Sequence, residues 1–112
     1  MIHYDSIHDV CITVPADDEV KAGNVCSIGT DGILHIAPQG GKYDGVCLQV
    51  RNGYATLQIH GVMTAPLYTT GVTCGATKLM LVGDNTMIYD TDGKDVLVLE
   101  VDEVNMTVTF FM

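Results

Sequence analysis

Histidines and cysteines are the residues of this chain whose chemistry could support catalysis or metal binding. There are four of each, and they form neither an H-E-x-x-H motif nor a paired Cys/His spacing, so the sequence predicts no metal site. We expect His35 to be a half-buried structural residue and His60 to lie on the face of a strand. The full set is His3, His8, His35, His60, Cys11, Cys26, Cys47 and Cys74.

Nucleophilic catalysis also lacks a local pattern. No Gly-x-Ser-x-Gly elbow occurs, and no cysteine has neighbours that would activate its thiolate. We therefore predict no catalytic residue, no cofactor and no enzymatic activity, although a catalytic pair can be assembled in space from distant residues. The cysteines are expected to be reduced and mostly buried, because the first residues carry acids and do not resemble a signal peptide.

One acidic run resembles part of a calcium-binding loop. It is Asp90-Thr91-Asp92-Gly93-Lys94-Asp95, which lacks the downstream bidentate glutamate and places a lysine among the would-be ligands. We interpret it as an acidic β-turn. Gly40-Gly41-Lys42 is not a phosphate-binding loop, since the upstream glycine and the following serine or threonine are missing.

The chain is small, acidic and rich in apolar residues. With 112 residues, 47% of them hydrophobic, it is expected to form one packed domain at residues 10–112, preceded by an N-terminal arm at residues 1–9. The net charge of −9 disfavours nucleic acid and anionic membrane as partners. No stretch approaches the roughly 20 apolar residues that span a bilayer.

Two hairpins are the clearest elements, and both belong to an all-β pattern. Asn52-Gly53 predicts a type I′ turn that pairs Arg51 with Tyr54, Leu48 with Leu57 and Val46 with Ile59. At the end of the chain, symmetric pairing predicts Val101 opposite Met106, Leu99 opposite Val108 and Leu97 opposite Phe110. Further strands are predicted at residues 10–14, 24–28, 33–36, 78–82 and 87–90. About nine short strands predict a small antiparallel β-barrel or a compact sandwich, and we find no internal repeat.

The segment between Arg51 and Lys78 contains no Asp, Glu, Lys or Arg. Residues 64–77 within it read as an uncharged loop. Because the centres of protein interfaces are depleted in charge and enriched in Tyr and Met, this segment predicts a contact surface. A loop that covers the mouth of a barrel would explain the pattern equally well.

Several short motifs together resemble the small phage capsid decoration (cement) proteins. They are Val20-Lys21-Ala22-Gly23-Asn24-Val25, Tyr43-Asp44-Gly45-Val46, Ile59-His60-Gly61-Val62, the uncharged loop, the K-L-x-L-V-x-D motif at residues 78–84 and the final hairpin. The resemblance covers most of the chain from about Val10 onward. The four cysteines and the N-terminal segment depart from it.

The resemblance implies a non-enzymatic protein of the virion, made in the bacterial host cytoplasm. It would bind the outside of the phage head and stabilise contacts between major capsid protein subunits, often as a homotrimer. We expect its contacts with the capsid to come from the N-terminal arm, which is either flexible or becomes ordered on binding, and from the uncharged segment. The candidate contact residues are Ile2, Tyr4, Ile7, Met63, Pro66, Leu67, Tyr68 and Val72.

The main alternative is a biotinyl- or lipoyl-like carrier or adaptor barrel. Residues 20–25 also resemble the strand entry of those domains, which present a lysine on a tight hairpin. Lys42 follows Gly-Gly and Lys94 follows Asp-Gly, but neither has the flanking pattern of a modified lysine. A small enzyme is the third possibility, and a ligand-filled pocket that gathers two titratable groups would favour it.

Overall fold

The computed structural model describes residues 10–82 and 85–112, and these form ten strands. The strands are β1 (Val10–Pro15), β2 (Val25–Ile28), β3 (Leu34–Ile36), β4 (Gly45–Arg51), β5 (Tyr54–His60), β6 (Val62–Pro66), β7 (Gly75–Val82), β8 (Thr86–Tyr89), β9 (Lys94–Asp102) and β10 (Thr107–Phe111). The prediction of an all-β antiparallel fold is confirmed. The strand that the sequence pattern missed is β6. The expected arm at residues 1–9 lies outside the described residues.

The strands form two antiparallel sheets of five. Their orders are β1-β5-β4-β2-β3 and β6-β10-β9-β7-β8. Within the described residues the two sheets do not join into one closed barrel. Each sheet curls until its edges meet at a single parallel bridge, which joins Ala16 to Leu34 in the first sheet and Leu67 to Met87 in the second.

The two sheets are copies of one arrangement. Adding five to each strand number of the first order gives the second order, so β1–β5 form a first half and β6–β10 form a second half. The register also agrees in three of the four matching strand pairs, and it differs by two residues between β2–β4 and β7–β9. Thr13 pairs with Thr56 in the first half, and Thr64 pairs with Thr109 at the matching place in the second. The expectation of no internal repeat is therefore wrong: the repeat lies in the topology and register, and few residue identities accompany it.

Matching positions also build the interior of each half. The first half has a core of six buried residues, and their six counterparts are all buried in the core of the second half. The pairs are Val20/Val72, Cys26/Leu79, Leu34/Met87, Cys47/Val98, Ala55/Val108 and Leu57/Phe110. The core of the second half also takes Val25, Tyr43 and Val46 from the first half. The two halves are therefore packed together by a shared apolar core.

The Asn52-Gly53 hairpin forms as predicted at its turn and differs further along. Asn52 and Gly53 have φ values of 53° and 79°, as a type I′ turn requires, and Arg51 pairs with Tyr54. A β-bulge then skips Leu48, so Cys47 lies opposite Leu57. The predicted Leu48–Leu57 and Val46–Ile59 pairs are wrong. A bulge adds one residue to one strand and reverses the faces beyond it, which leaves Leu48 48% exposed.

The final hairpin shows the same deviation. Asp102 pairs with Thr107, which moves the loop one residue along the chain from the predicted position. A bulge then skips Leu99 and sets Val98, not Leu97, opposite Phe110. The turn is held by Asp102, whose carboxylate accepts hydrogen bonds from the backbone of Val104 and Asn105, each at 3.0 Å. The predicted pairs Val101–Met106, Leu99–Val108 and Leu97–Phe110 are therefore wrong.

Polar side chains also join the two halves. The amide of Asn85 accepts a hydrogen bond from Val25 N at 2.7 Å and donates one to Val25 O at 2.9 Å. The Tyr43 hydroxyl donates to Leu79 O at 2.9 Å. At the crossover between the halves, buried Gln58 donates to Val62 O at 2.9 Å. Since buried polar groups are costly when unpaired, these bonds fix one relative placement of the halves.

Candidate interaction surface

The uncharged segment forms an ordered connection between β6 and β7, which we call the neutral loop (residues 67–74). Two backbone hydrogen bonds fix its start, from Leu67 N to Met106 O and from Tyr68 N to Met87 O, each of 2.8 Å. Leu67 and Val72 are buried in the core and anchor the loop from below. Its surface is formed by polar, uncharged or aromatic residues, namely Tyr68, Thr69, Thr70, Gly71, Thr73 and Cys74.

The predicted contact residues divide into two groups in this structure. Met63, Leu67 and Val72 are core residues. Pro66 and Tyr68 are exposed side by side at the start of the neutral loop, and Tyr68 is 60% exposed. The remaining three, Ile2, Tyr4 and Ile7, lie outside the described residues. The accessible part of the predicted surface thus consists of Pro66, Tyr68 and the threonines that follow.

The repeat supplies an internal comparison for the neutral loop. In the first half, residues 16–23 begin in the same way: Ala16 N donates to Gly53 O and Asp17 N donates to Leu34 O, each at 2.9 Å. Val20 is buried at the place that Val72 occupies in the second half. Yet this counterpart loop carries four charged residues, Asp17, Asp18, Glu19 and Lys21. The backbone therefore accepts charge at these positions, and the fold does not require the neutral loop to lack it.

The counterpart loop takes part in a cluster of titratable groups that the sequence pattern did not reveal. His35 on β3 lies between two carboxylates, with Nδ1 at 3.1 Å from Asp17 Oδ2 and Nε2 at 3.2 Å from Asp31 Oδ2. Asp17 follows β1, and Asp31 lies in the turn between β2 and β3. The cluster is at the surface, so it is not a cleft of converging acids and histidines.

The electrostatics of this cluster favour its charged form. The hydrogen bond with Asp31 raises the pKa of His35, and the bond with Asp17 adds to this effect. The pKa values of both aspartates are lowered, first by backbone hydrogen bonds from Glu19 and Ile33 and then by His35. Both ring nitrogens are occupied by carboxylates, so neither is free to accept a proton from a substrate. The ion pair of His35 with Asp17 instead holds the end of β1 against β3, beside the Ala16–Leu34 bridge. We call the group of His35, Asp17 and Asp31 the His35 clamp.

We expect the His35 clamp to stabilise the fold most at weakly acidic pH. The raised pKa of His35 makes its contribution complete below the unfolded value of about 6.5, and this contribution is lost as pH rises through the folded value. The lowered pKa values of Asp17 and Asp31 make their contribution present above about 4 and lost as pH falls. The melting temperature of His35→Asn should therefore lie furthest below that of the parent near pH 5.

The matched control for this measurement is His60→Asn. His60 makes an edge-to-face contact with Phe111 at 5.0 Å between ring centroids, and it forms no ion pair with a described residue. Its effect on the melting temperature should change little between pH 5 and pH 8.5. An equal loss for His35→Asn at both pH values would contradict the clamp.

The cysteines and the acidic run at residues 90–95, which were also considered for chemistry, have no arrangement among the described residues that points to a reaction. All four cysteines are free; Cys26 and Cys47 are buried, whereas Cys11 and Cys74 are exposed, so the expectation of mostly buried thiols holds for half of them. Burial raises the pKa of Cys26 to about 12, which keeps it protonated and unreactive. Residues 90–93 form the expected turn, closed by Gly93 N donating to Asp90 O at 2.9 Å.

Lys42 and Lys94, the two lysines considered for a carrier, lie near each other in space. Lys94 begins β9, and its Nζ donates a hydrogen bond to Tyr43 O at 3.3 Å. Among residues 10–82 and 85–112, no group of three or more His, Cys, Asp or Glu side chains is arranged to hold a metal ion. The same residues include no helix of the length and apolarity needed to cross a membrane.

Residues 10–82 and 85–112 thus form ten strands of an all-β fold with an internal structural repeat, and the two halves differ in the charge of one matching loop. A scan against protein-family models, a search of curated proteins and a search of solved structures each found no match to the chain.

Proposed function

We propose that this chain is a capsid decoration protein, which binds the outside of a phage head and stabilises contacts between major capsid subunits without catalysing a reaction. The observation that carries the proposal is the neutral loop. On a chain of net charge −9, it presents a connected surface without charge at a place where the matching loop of the first half carries four charged residues. Interface centres show this depletion of charge.

The way the neutral loop is held also supports a binding role. Its start is fixed by backbone hydrogen bonds, and Leu67 and Val72 anchor it to the core. An ordered loop loses little conformational freedom when it binds, so more of the contact energy appears as affinity. The side chain of Tyr68 is exposed, and tyrosine is one of the three residue types enriched among those that dominate the binding energy of interfaces.

The proposed partners are the major capsid protein and further copies of this chain. We take the fold as a sandwich of two curled sheets, which would form a stiff body between neighbouring capsid subunits. A homotrimer would attach through several neutral loops at once, and such multivalent attachment raises the total affinity without new kinds of contact. Binding only to the assembled shell would stabilise that shell by mass action.

The test uses phage heads that lack this protein, prepared from the phage whose genome encodes the chain. Occupancy of the heads is measured by co-sedimentation over a range of protein concentrations. We expect Tyr68→Ala to weaken binding by about tenfold or more, because removal of a central tyrosine commonly costs 2 kcal/mol or more. Thr73→Asp should also weaken binding, since it places a charge in the neutral surface.

The internal repeat offers a control variant, in which an aspartate is placed at the matching position of the first-half loop. Lys21 follows buried Val20 as Thr73 follows buried Val72, and Lys21→Asp introduces an acid at this matching position. This variant should bind the heads as the parent does. If Tyr68→Ala and Thr73→Asp both occupied the heads fully, the neutral loop would not be part of the interface. Failure of the parent protein to bind the heads would overturn the proposed function.

A further inference from the structure

The junction between the two halves holds a cavity of about 340 Å³. One wall comes from the connection between β3 and β4, at residues 40–44, and the other comes from β7 and from the turn before β9. This volume lies within the usual range for small-molecule sites, and such sites favour the junction between two structural units. None of the residues that line the cavity belongs to the neutral loop, and the use of the cavity does not depend on the proposed function.

The walls of the cavity are held rigidly. The hydroxyl of buried Tyr43 donates a hydrogen bond to Leu79 O at 2.9 Å and so joins one wall to the other. Gly93 packs against β7 so closely that an added Cβ would lie 2.6 Å from the carbonyl carbon of Leu79. Met80 gives the cavity an accessible apolar lining, whereas Leu79 and Tyr43 lie behind it in the core. The site is therefore formed before any ligand binds.

Two of the five basic residues of this acidic chain line the cavity. They are Lys42 and Lys94, and neither forms an ion pair with a described residue. The ammonium group of Lys94 is positioned by Tyr43, at 3.3 Å from its carbonyl oxygen and 5.6 Å from its ring centroid. A lysine held in this way can offer its remaining donors to an anion.

Two acids also line the cavity, and their positions decide where the charged group of a ligand can bind. Asp44 accepts a hydrogen bond from Ile28 N at 2.8 Å, which ties its carboxylate to β2 and leaves it charged. Asp92 lies in the exposed turn, and its side chain has no hydrogen-bond partner among the described residues. The lining therefore carries two ammonium groups and two carboxylates, and an anionic group can bind only on the side formed by Lys42 and Lys94.

From this arrangement we infer that the junction cavity binds a small organic carboxylate, with its apolar body against Met80 and its carboxylate between Lys42 and Lys94. The probe is phenylacetate, added to the full-length protein labelled with ¹⁵N. Amide signals of Gly41, Lys42, Gly93 and Lys94 should shift and saturate. Benzyl alcohol, a neutral molecule of similar shape, should not produce saturable shifts at these residues.

Charge variants of the cavity test the assignment in both directions. Lys94→Met keeps most of the side-chain stem and should weaken phenylacetate binding by roughly tenfold or more, because a charge-assisted hydrogen bond is lost. Asp92→Asn should tighten binding, since it removes the repelling carboxylate. Lys78→Met is the matched control, because Lys78 lies outside this cavity and pairs with Asp95 at 2.7 Å.

The inference would be overturned by three results. They are phenylacetate shifts that do not saturate, equal shifts with benzyl alcohol, or unchanged affinity in both Lys94→Met and Asp92→Asn. The ¹H–¹⁵N spectrum of each variant reports its folding in the same experiment. Because Asp92→Asn removes no contact of the fold beyond the turn, it remains a valid test if Lys94→Met does not fold.

Discussion

Phe110→Ala should lower the free energy of unfolding by about 3–5 kcal/mol, one of the two largest effects we expect for a single substitution in this chain. Phe110 is fully buried on β10 and lies in the core that both halves share. Its removal leaves a cavity that neighbours on two sheets can fill only in part. Urea-induced unfolding, followed by far-UV circular dichroism, would measure the loss.

Two neighbours on β9 provide controls that also test the register. Val98 is buried opposite Phe110, whereas Leu97 is 44% exposed opposite Phe111. Val98→Ala should therefore cost about 1.5–3 kcal/mol, and Leu97→Ala should stay within about 0.5 kcal/mol of the parent. The reverse order would restore the pairing of Leu97 with Phe110 that the sequence pattern predicts, and it would contradict the bulge at Leu99.

Local turn chemistry was the part of the fold that the sequence could specify. Asn52-Gly53 dictates its turn because both residues tolerate positive φ, and the pairs nearest that turn, Arg51–Tyr54 and Gln49–Thr56, follow from it. Nine of the ten strands are visible as short β-branched runs between turn residues. Each of these signals is contained within a few consecutive residues, so no knowledge of the partner strand is needed.

The bulges could not be predicted, because they depend on what lies across the sheet. The run around Leu99 is apolar on both faces, and beside Leu48 the apolar Cys47 can replace it in the core, so alternation alone does not fix which residues point inward. In each half, the extra leucine turns outward and brings Cys47 or Val98 into the core. That the same bulge occurs at matching places indicates that the curl of each sheet requires it.

The sequence did not reveal the internal repeat or the significance of the neutral loop, for a related reason. Matching core positions hold different residues, such as Cys26 and Leu79 or Leu57 and Phe110, so residue identity does not show the repeat. The absence of charge at residues 52–77 was visible in the sequence. Its meaning depends on the comparison with Asp17 and Lys21 in the first half, and only the matched hydrogen bonds of the two loops make that comparison possible.

The His35 clamp shows the same limit for charged residues. Asp31 is four positions from His35, but Asp17 is eighteen positions away and reaches it only because β1 ends beside β3. The matching positions in the second half hold Tyr68 and Ile88, so no equivalent clamp of these residues forms there. A structural role was predicted for His35 from its place in a strand, and its partners required the topology.

Gly45→Ala should destabilise the protein by about 3 kcal/mol, the upper end of the usual cost of overpacking a core. Gly45 lies in β4, and a Cβ there would overlap the carbonyl oxygen of Gln58 and lie 2.8 Å from its carbonyl carbon. These are backbone atoms of the neighbouring strand, so no side-chain rotation can relieve the overlap. β4 also pairs with β2 on its other side, where Gly45 lies opposite Cys26, and it cannot move away without breaking that pairing.

The control for Gly45→Ala is a substitution at a glycine whose backbone has a positive φ but whose surroundings leave room for a side chain. Gly53 has a φ of 79° and no atom within 4 Å of an added Cβ, so Gly53→Ala should cost only the strain of a left-handed alanine, about 1–2 kcal/mol. Hydrogen exchange adds a second distinction. Gly45→Ala should speed exchange of amides along both β4 and β5, whereas Gly53→Ala should affect only those next to the turn. Equal costs and equal exchange patterns for the two variants would show that β4 and β5 are not packed as closely as the structure has them.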